Sequence, residues 1–573
     1  MNDYNSLYDL WLEKVSDKEL AAELESIKGN EEEIKDRFYQ NLAFGTGGLR
    51  GVLGAGTNRM NIYTVGQATQ GLADYLNTDF IDPSVAIGYD SRINSDVFAK
   101  YAASVLAGNG IKVYMYKELM PTPIVAYAVR TLKCSSGIVI TASHNPSKYN
   151  GYKCYDKRGY QMTDEAADKT LSFINGCDIF TDVHTLDFDE AVSTGIIQFI
   201  EDSFLDEYYR LVLSRMINPD VCAKAGLSVI YSPLNGTGNK PVRKILSLAG
   251  IKNVTVVPSQ EKPDGRFPTC SFPNPEIREA FNEAIALSST VAADLLLATD
   301  PDCDRVGIAV NTGNDYELLT GNEVGCLLVD YILSQKKEKG TLSASPVVIK
   351  SIVSSELAQK IAESYGARVE NTLTGFKYIG ELMTALENNG EADRFEIGFE
   401  ESYGYLTGMH TRDKDAVNAS LLICEMASFY KMQNKNLVDV LNEIYARFGY
   451  WTNQLLNFYF EGADGSAYMQ SMMEKLRGSY PVSIGGRTVD AVTDYKLSKR
   501  FSLSDGTETP VTLPVSNVIV FEMANGDKVI VRPAGTEPKI KIYLMVQGEN
   551  KEAAFSQFAE YEKDITVLLG VNK

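Results

Sequence analysis

The chain has 573 residues, 44% of them hydrophobic, and carries a formal net charge of -20. At about 100 to 200 residues per domain, that length calls for three to five separate cores. An acidic excess of this size excludes an extended nucleic-acid or anionic-membrane surface, which needs an excess of Lys and Arg, so an anionic substrate would have to be met by locally placed positive charge.

The opening stretch, MNDYNSLYDLWLEKVSDKEL, is acidic and amphipathic and lacks the basic and apolar regions of a signal peptide. Residues 1 to about 40 read as lead-in helices, with Ser16-Asp17-Lys18-Glu19 as a capping box. No run approaches the roughly 18 uninterrupted apolar residues of a membrane helix. The eight cysteines are scattered without a CxxC pair, and the three histidines stand at 144, 184 and 410. Reduced thiols, a cytoplasmic location and no zinc centre are the expectation.

From about 45 to 415, short Val/Ile/Leu runs recur, each followed by a Gly, Pro, Asn or Asp cluster and then a helical pattern: VAIGYDSR, GIVITASHNP, LSVIYSPLNGTG, LLLATDPDCDR, PVVIKSIVSS, FEIGFEESYGY. Continuous apolar strands alternating with helices predict an α/β fold with parallel sheets covered on both faces. Ligands of such sheets bind at the carboxyl ends of the strands, where the unusual side chains of this chain lie. Towards the C-terminus, two strands joined at Asn525-Gly526 and the alternating Lys539-Ile540-Lys541-Ile542-Tyr543 predict an antiparallel sheet under a covering helix, forming a smaller α+β domain.

Two glycine-rich stretches fail as nucleotide loops. GTGGLRG has Arg50 and NGTGNKP has Pro241 where G-x-G-x-x-G requires its third glycine. In the first, Gly45, Gly47 and Gly48 would still let backbone amides approach a ligand beside Arg50. In SSGIVITASHNPSKYNGYKCY, an apolar strand stops at Ser143 and His144; a serine in a turn is ordinarily a turn former, and no G-x-S-x-G pattern marks a hydrolase. Asp300, Asp302 and Asp304 at alternate positions of one loop repel one another unless a cation sits among them, and an all-oxygen set suits Mg²⁺. Arg305 and Asn311 stand where an EF-hand needs Gly and Glu, so that alternative fails. A phosphorylated Ser143 could add a further oxygen to such a metal, with Arg305 near the same charge. Glu400 and Ser402, two residues apart after a strand, suit neutral sugar hydroxyls, with Lys414 downstream. Arg532, Gly535 and Thr536 in RPAGTEP form a candidate phosphate clamp.

In this order and over nearly the whole chain, from about 44 to 546, these segments resemble the α-D-phosphohexomutase superfamily: TASHNP its phosphoserine loop, DPDCDR its metal loop, GFEES its sugar-binding loop, RPAGTEP its phosphate-binding loop. The resemblance implies four domains around a central cleft, three related α/β domains and a C-terminal α+β domain, divided here at 1–205, 206–315, 316–440 and 441–573. It implies that Ser143 carries the phosphoryl group, that Asp300, Asp302, Asp304 and a phosphoserine oxygen hold Mg²⁺, and that Arg305 steadies the same group. Glu400 and Ser402 would hold sugar hydroxyls, Arg532, Gly535 and Thr536 the non-reacting phosphate, and Arg50, His144, Lys153 and Lys414 would lie near the phosphoryl group or the sugar.

The implied activity is interconversion of α-D-glucose 1-phosphate and glucose 6-phosphate through a glucose 1,6-bisphosphate intermediate. Phosphopentomutase, phosphomannomutase, a Mg²⁺ phosphatase and a silent sugar-phosphate binder are the alternatives. The partners would be small sugar phosphates, with no nucleic acid or membrane, and the assembly a monomer or weak homodimer. Closure about a hinge near residues 420 to 455 would keep water from the intermediate. Lys153 is favoured slightly over His144 as participant in proton transfer, and would need a lowered pKa to act as a base. Two departures from the family pattern are Ala534, where many members have serine, and Phe399, where glycine is usual.

Overall fold

The computed structural model describes residues 4–460, 463–534 and 539–571. Three sheets succeed one another in chain order. The first contains β1 (Leu49–Val52), β2 (Ser84–Tyr89), β3 (Lys112–Met115), β4 (Ser136–Ile140), β5 (Tyr149–Asp156) and β6 (Ile197–Phe199). The second contains β7 (Ser228–Ser232), β8 (Asn253–Val256), β9 (Leu295–Thr299), β10 (Val306–Asn311) and β11 (Tyr316–Leu319). The third contains β12 (Val347–Ser351), β13 (Arg368–Thr372), β14 (Phe395–Glu400) and β15 (Gly404–Leu406).

One arrangement recurs in all three. The spatial runs β5-β4-β2-β3, β10-β9-β7-β8 and β15-β14-β12-β13 share a parallel core of three strands and one antiparallel edge partner. In each, the strand leading into a candidate loop (β4, β9 or β14) is buried along its whole length, as a strand covered on both faces must be. The chain then reverses at once into an antiparallel strand. The expected helix after these three strands is therefore absent: each loop is the tip of a hairpin. A residue other than glycine adopts a left-handed backbone at each tip, Ser143 at φ 52°, Cys303 at φ 54° and Tyr403 at φ 62°. Such a conformation persists only where the surroundings over-determine it.

The fourth sheet contains β16 (Tyr450–Tyr459), β17 (Ser483–Ile484), β18 (Arg487–Asp494), β19 (Lys499–Ser502), β20 (Glu508–Pro510), β21 (Ile519–Met523), β22 (Lys528–Pro533) and β23 (Lys539–Gly548). It is antiparallel, with β21 and β22 joined through Asn525-Gly526, and the helix Lys551–Leu569 packs on it. With eight strands it is the widest of the four sheets rather than a small one. Its core is separate from the cluster that runs continuously through the three α/β units, and a smaller group including Val353, Leu373, Ile530 and Tyr543 joins it to the third.

Several expectations need correction. Asp17, not Ser16, caps the helix Lys18–Ser26, accepting from the amides of Glu19 and Leu20, while the Ser16 hydroxyl meets that of Tyr63. A cut after 205 would fall inside the helix Ser203–Leu213, one after 315 would part the paired strands β10 and β11, and one after 440 would fall inside the helix Leu437–Phe448. We propose boundaries at Glu201, Thr320 and Gly449 instead. Within the range expected for a hinge, the helix Ala416–Lys431 is buried over most of its length, and the turns between elements lie at 432–436 and at Gly449, where φ is 87°. Phe399 is fully buried, and Gly325 of the helix Gly321–Glu338 leaves the space for its ring. Among the described residues no helix is long and apolar enough to cross a membrane.

Candidate active site

Ser143 stands at the tip between β4 and β5 and is 3% exposed. Its amide donates to Thr141 Oγ1 at 2.8 Å, and Thr141 Oγ1 donates to Asp90 Oδ2 at 2.6 Å. Arg92, just past the end of β2, closes the loop from the other side by donating to the carbonyl oxygens of Ser143, Asn145, Pro146 and Tyr149. This leaves the Ser143 hydroxyl directed across the domain boundary, where it donates to Asp300 Oδ2 at 2.9 Å and stands 3.2 Å from His144 Nδ1.

Asp300, Asp302 and Asp304 are all buried, and a carboxylate oxygen of each lies within 4.8 Å of the others. Asp300 Oδ1 accepts the amides of Asp304 and Arg305, which shapes the loop. Asp302 Oδ2 takes Lys153 Nζ at 2.6 Å and Thr122 Oγ1 at 2.9 Å; Asp304 Oδ2 takes Lys153 at 3.0 Å and Lys414 at 3.3 Å. Asp302 Oδ1 and Asp304 Oδ1 are buried without a hydrogen-bond partner. Burial, then the charges of Asp302 and Asp304, pushes the Asp300 carboxyl well above its usual range. Burial also works against ionisation of Asp304, but Lys153, Lys414 and Arg305 together hold it well below. A crowded anionic cluster with two orphaned oxygens fits a small hard cation. Among the described residues no histidine or cysteine joins the three aspartates as a ligand, so the donor set suits Mg²⁺.

Lys153 and His144 shift in opposite directions. Burial opposes the Lys153 charge, but Asp302 and Asp304 more than offset it and raise its pKa, so as it stands this lysine is a cation and not a base. Burial, then Arg305 and Arg50, lowers His144 well below its ordinary value and keeps the ring neutral.

Beside the Ser143 loop opens a cleft of about 480 Å³ lined from all four sheets' domains: His144 from the first, Glu276 and Arg305 from the second, Glu400 and Lys414 from the third, and Arg532 from the fourth. Glu400 is 4% exposed, and its Oε1 accepts the amide of Gly375 at 2.7 Å. Ser402 also lines the cleft. Arg305 is turned to Glu276 Oε1 at 2.6 Å, with Asp304 Oδ1 at 3.7 Å, so its guanidinium already has an anionic partner. Arg50 lies on β1 and donates to Asn145 Oδ1 at 3.3 Å. A Cβ on Gly48 would lie 1.7 Å from Tyr152 O, so glycine is required there by the close approach of the loop to β5. Gly535 and Thr536 fall outside the described residues.

The sequence matches the descriptions "Phosphoglucomutase/phosphomannomutase, alpha/beta/alpha domain I", "II" and "III" over residues 41–176, 206–313 and 320–448. The chain belongs to the phosphoglucomutase/phosphomannomutase family. It is 35% identical over 558 residues to a protein named phosphoglucomutase from Staphylococcus saprophyticus, covering 97% of this chain and 99% of the relative. A namesake from Staphylococcus aureus strain USA300 is 35% identical over 546 residues, covering 95% of this chain and 96% of the relative. Among solved structures, the open form of parafusin, a phosphoglucomutase from Paramecium, superposes with a TM-score of 0.68 at 18% identity, covering 93% of this chain and 97% of that one. A phosphoglucomutase/phosphomannomutase family protein from Burkholderia thailandensis gives a TM-score of 0.66 at 16% identity over 93% and 98% of the two chains. At these identities the structural matches speak to the fold: three α/β domains and a β-rich C-terminal domain of phosphohexomutase architecture.

Within this family member, reading the sequence missed three supporting elements. Arg92 is visible there only as the end of YDSR, with nothing local to show that it reaches the Ser143 loop. Gly236 and Thr237 of the rejected NGTGNKP stretch pack on the metal loop instead: a Cβ on Gly236 would lie 2.4 Å from Pro301 Cα, and the Thr237 amide donates to Pro301 O at 2.8 Å. Lys541 lines the cleft beside Arg532, although the alternation of β23 marks it only as outward-facing.

Proposed function

We propose that the protein is a phosphoglucomutase, an isomerase that interconverts α-D-glucose 1-phosphate and glucose 6-phosphate through phosphorylated Ser143 and glucose 1,6-bisphosphate. The observation that carries this reading is the Ser143 hydroxyl, hydrogen-bonded to Asp300 within a buried three-aspartate cluster and set beside a cleft to which all four domains contribute. The full-length relatives named phosphoglucomutase support the choice of glucose.

In the first half-reaction, the bond between phosphorus and Ser143 Oγ breaks as a bond to a sugar hydroxyl oxygen forms, and that hydroxyl loses its proton. The bisphosphate then turns over and returns its other phosphoryl group to Ser143. Such transfers depend chiefly on positioning and on neutralising charge. The left-handed tip fixed by Thr141 and Arg92 supplies the first. Asp300, Asp302 and Asp304, with a phosphoserine oxygen, would hold Mg²⁺, which when bound neutralises charge on the transferring group. Lys153 and Lys414 add positive charge beside the same aspartates, and Arg50 borders the loop. His144, neutral and 3.2 Å from Ser143 Oγ, is the better-placed proton acceptor. Glu400 and Ser402 would take sugar hydroxyls. Arg305 would steady the transferring group, and Arg532 and Lys541, with Gly535 and Thr536, would hold the phosphate that does not react.

The test is turnover of glucose 1-phosphate by the wild type and by Ser143→Ala, with kcat/KM compared on glucose, mannose and ribose 1-phosphates. Loss of turnover in the variant and preference for glucose are expected. Turnover retained in Ser143→Ala would end the mechanism, and a preference for ribose 1-phosphate would make the protein a phosphopentomutase.

A further inference from the structure

Outside the catalytic groups, a buried hydrogen bond ties the first domain to the third. Tyr155 lies on β5, two residues after Lys153, so its side chain leaves the same face of the strand. Lys153 pairs with Asp302 and Asp304 directly. Tyr155 reaches the third domain instead, where its hydroxyl donates to Asp413 Oδ2 at 2.6 Å. The phenol is fully buried, and Asp413 is 2% exposed.

The other oxygen of Asp413 serves Lys414. Asp413 Oδ1 accepts the Lys414 amide at 2.8 Å and lies 3.3 Å from Lys414 Nζ, which stands equally far from Asp304 Oδ2. A carboxylate held through one oxygen swings readily about its Cβ–Cγ bond, because that torsion is broad. The phenol pins the second oxygen and with it the plane of the group. The lysine stem is confined as well: a Cβ on Gly404 would lie 2.0 Å from Lys414 Cδ, and the ring of Phe376 is 5.6 Å from Nζ. An ammonium has three donors, so one held between two carboxylates can still meet an anion in the cleft that Lys414 lines.

We infer that Tyr155 is a positioning residue for phosphoryl transfer: through Asp413 it holds the Lys414 ammonium against Asp304, beside the three-aspartate cluster. β5 thus supplies charge to the aspartates twice, once through Lys153 itself and once by placing a lysine of another domain. At a buried site little water screens a charge, so a cation moved by about an ångström loses much of its effect on the transferring group. The consequence for turnover rests on the phosphoglucomutase reading; the placement of Lys414 does not.

The experiment compares the full-length wild type, Tyr155→Phe, Asp413→Asn and the double variant by steady-state kinetics on glucose 1-phosphate, and the wild type with Tyr155→Phe by crystallography. Each single substitution is expected to lower kcat about tenfold or more while KM stays within about twofold, and the double variant to fall no further than Asp413→Asn alone. In the Tyr155→Phe crystal, Lys414 Nζ is expected to leave Asp304. Unchanged kcat in Tyr155→Phe, effects that multiply in the double variant, or Lys414 kept in place in the crystal would overturn the inference. Should Tyr155→Phe fail to fold, Asp413→Asn carries both readouts with the same expectations. A wild type without turnover would end the phosphoglucomutase reading instead, and the crystals alone would then decide this one.

Discussion

Arg92 Nη2 donates to the carbonyl oxygen of Ser143 at 2.5 Å, and Nη1 donates to the carbonyls of Pro146 and Tyr149 at 3.0 Å each. The guanidinium is buried, pairs with Asp90 and faces the Phe267 ring of the next domain at 5.0 Å. Burial, only partly countered by Asp90, lowers its pKa to about 10, still far above neutrality, so the charge is kept. The planar fork of donors is what an ammonium cannot reproduce. In Arg92→Lys we expect kcat to fall on the order of 10²-fold with KM little changed, because the nucleophile is misplaced while the cleft is not. Steady-state kinetics and the phosphate stoichiometry of Ser143 by mass spectrometry check this; a drop in thermal stability with unchanged kcat would make Arg92 purely structural.

The orphaned oxygens of Asp302 and Asp304 predict that Mg²⁺ stabilises the folded protein. Binding only to the native state adds about 2.7 kcal/mol at a hundredfold excess over Kd. Melting temperature should rise with Mg²⁺ in the wild type, fall back with chelator, and fail to respond in Asp302→Asn and Asp304→Asn.

Glu401, which has no assigned role between Glu400 and Ser402, is half-buried and accepts from Ser351 Oγ at 2.9 Å. Burial, then the charge of Glu400, raises its pKa to about 7 from 4.5. Between those values the folded chain keeps a proton that the unfolded chain has lost, so stability should decline as pH rises across that window, by at most about 1.4 kcal/mol per pH unit. Glu401→Gln should flatten that part of the profile in denaturant titrations at several pH values.

Gly236→Ala would force a methyl group onto the Pro301 backbone, at 2.4 Å from Cα and 2.6 Å from O. Overpacking of this kind costs about 1 to 3 kcal/mol. We expect the Mg²⁺-dependent rise in melting temperature to shrink along with stability, whereas Gly226→Ala, a remote glycine with open space around it but a strained φ of 58°, should cost stability alone.

The loops are legible in the sequence because chemistry bunches there: three alternating aspartates and a strand ending in Ser-His-Asn-Pro are rare enough to stand out in a single chain. The parallel strands are legible from their unbroken apolar runs. The return strands after β4, β9 and β14 are not, because a strand buried on both faces, such as Val306–Asn311, carries no alternation to tell it from a helix segment. The lead-in cap falls one residue away from its expected place because Ser16 and Asp17 are both good capping residues, and the bond from Ser16 to Tyr63 is a tertiary contact. Arg92, Thr122 and Thr237 act over long separations in sequence, and no local pattern records such a reach.

The three hairpin tips also limit how this chain can vary in length. Each functional loop is bounded on one side by a fully buried parallel strand and on the other by a return strand in fixed register, so one inserted or deleted residue would turn every side chain of the return strand to the opposite face. Surplus length can be taken up at exposed turns such as that around Gly313 or Gly506, while the intervals from Ile140 to Tyr149, Thr299 to Val306 and Glu400 to Gly404 act as rulers that an engineer or a lineage can repaint but not recut.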